Sequence, residues 1–457
     1  MADDGIMTGC SSLICLPMSA NVPVREMDEM MRLQEDAPGR WGGQGGTGAA
    51  NANVRRREEV NQALWLLIPF TYACLFGYVR NLGTVPLLVA LSMLTAFGIG
   101  YGRRYLQTPL ILLSCLAAVY IGLSYVGVLD RGITLMYSRE AIPQQSAYAV
   151  MLPFVVAGFA AYHERVAAGN GAFLRLETTI FLIACAAKLY DLAFPSAYFG
   201  GEVEREFAGI TQLVNTMMIL AFIFVRRILS ADHVPWLTKL IAAFVLLATS
   251  SSAQAGIVLM MLLVLMILPK ERLKLTAMFL CLFVVVPFVA AAFAQTIWKL
   301  DPNTGIRLFF WRDALGRLWE SGGIGVGFGT ETIRPVYGLN AADVTILDAD
   351  DPGFIYVGSH NAFVDALYRM GVLGFVLLGG FVLRLFIRVV RGFAGNTILD
   401  CWVTCALVTN LMVNVGLASI NLFFGSAFLI GWLVYRITAA DNIAPTGPEL
   451  TANGLAA

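Results

Sequence analysis

The 457-residue chain is 58% hydrophobic and only 14% charged, with a mean hydropathy of +0.71; it is too apolar for a soluble domain, and its apolar runs reach the length that spans a bilayer. A formal net charge of zero gives no electrostatic footprint for nucleic acid, so any ligand has to be argued from local sites. The expected class is therefore all-α, a polytopic membrane protein with about twelve transmembrane helices and one large outer loop containing short helices.

Residues 1–54 mix charges with the glycine-rich run Trp41-Gly-Gly-Gln-Gly-Gly-Thr-Gly48 and lack apolar periodicity, which reads as a disordered tail. Thr8-Gly-Cys10 has no basic segment and apolar stretch ahead of it, so no cleaved signal is expected. Arg55-Arg-Arg57 abuts the first apolar run, 61–79, and further runs cover 82–100, 106–129, 147–162, 173–194 and 207–225. Two shorter runs, 240–249 and 256–268, flank the turn Ser250-Ser-Ser-Ala-Gln254, and a ninth covers 275–294. After a polar stretch, 295–360, the last three runs are 371–390, 398–417 and 422–434. The organisation read from this is a tail (1–54), nine spans (55–294), an outer loop (295–370), three spans (371–438) and a second tail (439–457).

If Arg55 to Arg57 are cytoplasmic, alternation puts Arg103/Arg104, Arg165/Arg175, Arg226/Arg227, Lys270/Arg272/Lys274 and Arg384/Arg388/Arg391 on that same side, as the positive-inside rule requires. Both termini are then cytoplasmic. His163 and His233 face inward, and His360 is the one outward histidine of three.

The eight cysteines avoid long polar loops, so no disulfide framework is expected. Cys401 and Cys405 stand one helical turn apart, but no His or carboxylate completes a metal set, and they read as packed core thiols.

The polar stretch is too long to lack a role. Residues 306–319 carry aromatic and apolar side chains at helical spacing, which predicts a helix lying against the membrane surface. Its Arg307, Arg312 and Arg317 read as interfacial anchors or as functional cations, and Arg307 sits one turn from Trp311. The run Gly322-Gly-Ile-Gly-Val-Gly-Phe-Gly329 lacks the strand and helix of a dinucleotide fingerprint. It reads as a flexible or closely packed turn whose amides approach a ligand, such as a phosphate. Asp343, Asp348, Asp350 and Asp351 do not meet calcium-loop spacing and read as a solvated patch or as paired carboxylates. His360 precedes Asn361, a good helix N-cap, and the following helix carries Phe363, Leu367 and Met370 on an apolar stripe. A histidine there is kept neutral by the helix dipole and can accept a proton; the alternative is a structural histidine at the membrane interface.

Arg307 with Trp311, the turn ending Gly325-Val-Gly-Phe-Gly329, and Ser359-His-Asn-Ala-Phe with Gly371-Val-Leu-Gly374 together resemble the signature region of the O-antigen ligase and polysaccharide polymerase superfamily. The resemblance implies an inner-membrane glycosyltransferase that uses no cofactor and no metal and acts at the periplasmic face. Its partners would be an undecaprenyl-pyrophosphate-linked glycan donor, a glycan acceptor, membrane lipids and other polysaccharide-assembly proteins. By resemblance, His360 is the general base and Arg307 pairs with the pyrophosphate, with Asn361, Gly327 and Gly329 near the substrate. Many relatives carry a Ser-Arg pair where this chain has Ser250 to Gln254, so the arginine is missing. Gln254, Arg205 and Lys188 are the candidates to replace it. Lys188 also has Asp191 three residues on, and a structural ion pair is an equal reading. Polymerisation of lipid-linked repeat units is the leading function; ligation of finished O-antigen to lipid A-core and transport of a lipid-linked substrate are the alternatives.

Overall fold

The computed structural model describes residues 47–75, 84–129, 139, 141–193, 218–229, 235–236, 253–300, 302–330, 361–391, 398–414 and 420–443. The chain divides into two compact units, Met1–Arg56 and Arg57–Ala457; the first is described only at 47–56, which are helical. Among the described residues, the α-helices whose bounds are defined are α1 (Thr47–Leu75), α2 (Thr84–Tyr101), α3 (Thr108–Val126), α4 (Ala141–Ala167), α5 (Gly171–Ala193), α6 (Ala253–Ile267), α7 (Arg272–Ala291), α8 (Ala294–Leu300), α9 (Pro302–Glu320), α10 (Ala362–Val390), α11 (Ile398–Thr409) and α12 (Ile420–Ile443). Helix α1 begins upstream of the basic run at which the sequence reading starts the first element, in an alanine-rich segment suited to helix.

Among the described residues three helices are long and apolar enough to cross a membrane: Thr108–Val126, Gln145–Ala167 and Ala362–Val390. The all-helical, membrane-type class is borne out at that level. A helix is present over the predicted 306–319 as α9, and Cys401 and Cys405 are buried free thiols on α11.

Helix α4 is the centre of the unit and packs against α12, α2 and α3. Its small residues make this possible. Gly98 and Gly102 form a Gly-x-x-x-Gly pair on which a Cβ would lie 1.9 Å from the Phe154 carbonyl and 2.5 Å from that of Ala157, so α2 and α4 touch through their backbones. On the opposite flank, Gly431 of α12 leaves room for Phe159, where a Cβ would come within 2.5 Å. Phe159 in turn packs edge-on against Phe70, Phe424 and Phe428.

The ends of this bundle are chemically different. At one end Glu177 binds Arg226 and accepts from Arg227 Nε at 2.6 Å. Asp400 accepts from Trp432 Nε1 at 2.9 Å and Arg436 Nη2 at 3.1 Å, and Arg104 pairs with Glu164. Arg104, Arg226, Asp400 and Arg436 all lie within electrostatic reach of Tyr435, so these groups share one end. Helix α3 starts next to Arg104, and at 1.5 Å per residue Ser124 near its far end lies about 24 Å away. The opposite end of the bundle is therefore where Ser124, and Gln145 at the start of α4, are found.

Candidate functional site

At that second end the glycine run and helix α10 interlock. Helix α10 is interrupted at Gly371, whose backbone has φ 66° and ψ −164°. A helix broken there cannot satisfy its own carbonyls in the usual way, and the glycine run takes their place. Val326 N–H donates to the Tyr368 carbonyl at 2.9 Å and Gly327 N–H to that of Arg369 at 3.0 Å, while Val372 N–H donates back to Gly323 at 3.0 Å. The approach leaves no room for side chains. A Cβ on Gly325 would sit 2.6 Å from Gly371 N, and one on Gly371 2.2 Å from the Gly323 carbonyl oxygen. Gly323, Gly325, Gly327 and Gly329 all have positive φ, which only glycine adopts without strain. The two halves of the signature, far apart in sequence, are one contact in space.

The turn is also fastened to the bundle. Phe328 N–H donates to Ser124 Oγ at 2.9 Å and Gly329 N–H to Gln145 Oε1 at 2.7 Å. The Tyr120 hydroxyl donates to the Ile324 carbonyl. Thr330, the last described residue of the segment, is held from both sides. Its carbonyl accepts from Gln145 Nε2 at 3.1 Å and from Arg369 Nη1 at 2.7 Å, and its hydroxyl accepts from the same Arg369 nitrogen at 2.7 Å. The amides of Gly327 and Gly329, offered to a ligand in the sequence reading, are engaged with protein acceptors here; a ligand reaching this turn would meet other groups.

Asn361 has a comparable position. Its Oδ1 accepts from the Phe363 and Val364 amides, both at 3.0 Å, forming the expected N-cap of α10, and its Nδ2 donates to the Met412 carbonyl at 3.1 Å. That carbonyl belongs to the π-helical turn Asn410–Asn414 that follows α11, and such turns release carbonyls from the regular helical pattern. Asn361 is fully buried, so its side chain fixes the chain directly after His360. Asn361→Ala is expected to lower stability by about 1–3 kcal/mol, because cap and cross-helix partners both go unsatisfied. Asn361→Ser keeps a capping oxygen and loses the bond to Met412, so its loss is smaller. Thermal midpoints in detergent check this ordering, and an unchanged midpoint for Asn361→Ala would refute it.

Arg307 lies on α9, half-buried, one turn before Trp311. Leu308, Trp311 and Ala314 form an apolar cluster with Val326 of the turn and with Val364 and Tyr368 of α10. The structure thus joins the helix of Arg307, the glycine turn and the N-terminal part of α10 that starts beside His360. Lys188 falls on α5 and Gln254 on α6, their side chains lying outside the described residues, as do all of Arg205, His360, the turn 250–252 and the aspartates from 343 to 351.

Sequence reasoning missed Ser124, Gln145, Thr330 and Arg369. For Arg369 a signal existed: with Asp365 it places two ionisable residues one turn apart in an apolar helix, where such groups mark function or a built network. Both are fully buried. Gln145 and Ser124 carried no local signal.

Residues 236–379 match the family model described as O-Antigen ligase. The matched segment contains α9, the glycine turn and the interrupted part of α10, and supports placing this site in the O-antigen ligase and polymerase superfamily. Searches of curated proteins and of solved structures gave no match.

Proposed function

We propose, from the premise that residues 236–379 are an O-antigen ligase-type segment, that this membrane protein is a glycosyltransferase that polymerises undecaprenyl-pyrophosphate-linked oligosaccharide repeat units at the periplasmic face of the inner membrane. The observation that carries the reading is the interlock of the glycine turn with α10, which makes one body of the Arg307 helix and the anchor next to His360. It lies at the bundle end remote from the clustered arginines, the end that the positive-inside rule assigns to the outside. With about twelve spans, both termini are cytoplasmic.

In the proposed reaction the acceptor hydroxyl oxygen attacks the anomeric carbon as the bond from that carbon to the pyrophosphate oxygen breaks. The proton passes to His360, and undecaprenyl pyrophosphate leaves with the bonding electrons. A single displacement of this kind inverts the anomeric centre and needs no covalent glycosyl-enzyme. Arg307 stabilises the charge on the departing pyrophosphate, for which a planar, permanently charged guanidinium is suited. Arg205, Lys188 and Gln254 are the candidates for a second contact to the carrier.

Ligation to lipid A-core uses the same chemistry with another acceptor, and transport of a lipid-linked substrate uses none of it. The lipid-linked glycans of cells lacking the protein separate the three. Accumulated single repeat units, cleared by the wild-type gene, are the expected result. Accumulated long lipid-linked chains would make the protein a ligase, and an unchanged distribution of glycan lengths would overturn both enzymatic readings.

A further inference from the structure

We propose that Arg369 is a positioning residue for the transfer site, fixing the peptide at Thr330 and thereby the register of the glycine turn and the Arg307 helix on α10. The inference rests on the transferase reading above.

Arg369 is fully buried, where a guanidinium is expensive and an apolar side chain of similar volume would usually serve stability as well or better. The turn is already held to α10 without it, by the three backbone bonds at Tyr368, Arg369 and Val372 and by the Trp311 and Tyr368 cluster. What the side chain adds is direction. A carbonyl oxygen has two lone pairs, and a single donor leaves the peptide plane free to rotate about that bond. At Thr330 both are taken, by Gln145 from α4 and by Arg369 from α10. The Thr330 hydroxyl is bound to the same arginine, and Gly327 O lies 3.4 Å from it. The point where the chain leaves the turn is thus set by two helices at once. A misplacement of about 1 Å in a catalytic constellation can lower turnover about 10²-fold, so a clamp of this kind acts on rate more than on folding.

The test uses the purified full-length protein in proteoliposomes with a lipid-linked repeat unit. Thr330→Val removes the hydroxyl at nearly constant shape, Thr330→Ser restores it, and Arg369→Lys keeps the charge but replaces the planar guanidinium by a freely rotating ammonium. The expected result is a kcat lowered about 10-fold by Thr330→Val and further by Arg369→Lys. The donor KM of Thr330→Val stays near wild type and its kcat loss persists well below its thermal midpoint, and Thr330→Ser recovers most of the rate. Unchanged kcat in Thr330→Val, or a loss that follows the thermal midpoint and disappears on cooling, would overturn the positioning role while leaving the transferase reading intact. A wild-type protein that forms no product would overturn that reading and this inference together.

Discussion

Gly371→Ala is expected to leave no folded protein in the membrane. At φ 66° and ψ −164° the residue occupies backbone space essentially reserved for glycine. An added methyl would also lie 2.2 Å from the Gly323 carbonyl oxygen and 2.4 Å from that of Ile324. Strain alone costs about 1–3 kcal/mol. Relief by moving the glycine turn would break the backbone bonds that satisfy the interrupted helix, each about 1 kcal/mol. Gly380, further along the same helix, has open space around its Cβ position, and Gly380→Ala is expected to be neutral or slightly stabilising. Membrane yield and monodispersity of the two variants check the contrast. A well-folded Gly371→Ala protein would mean that α10 is not interrupted as described.

His360→Ala is expected to fold normally and to lose about 10²- to 10⁴-fold in transfer rate, the usual contribution of a positioned general base. Folding is expected to be spared because the cap of α10 and the bond to Met412 are made by the Asn361 side chain, which the substitution leaves in place. Rate measurements on protein matched for thermal midpoint isolate the chemical effect. Full activity in His360→Ala would leave this residue no part in the reaction.

Much of the helical layout was legible in the chain because apolar length and periodicity report burial directly. The same holds for the cap at Asn361 and the helix around Trp311, where signals are local. The start of the tenth span near Gly371 in the sequence reading corresponds to the break inside α10, since the pattern registers the apolar half and not the capped half before it. What could not be read is pairing. Nothing in the glycine run says that its amides bind carbonyls released by Gly371, and so Gly327 and Gly329 looked available to a ligand. Gln145, which holds Thr330 from 185 residues away, is an ordinary polar residue at a helix start until the fold brings it there.

The most direct test of the account is turnover by the purified protein in proteoliposomes supplied with undecaprenyl-pyrophosphate-linked repeat units, with products resolved by mass. The account predicts a ladder of lipid-linked chains growing by one repeat at a time, with one undecaprenyl pyrophosphate released for each new glycosidic bond. Intact substrate that crosses the bilayer without bond formation would contradict it.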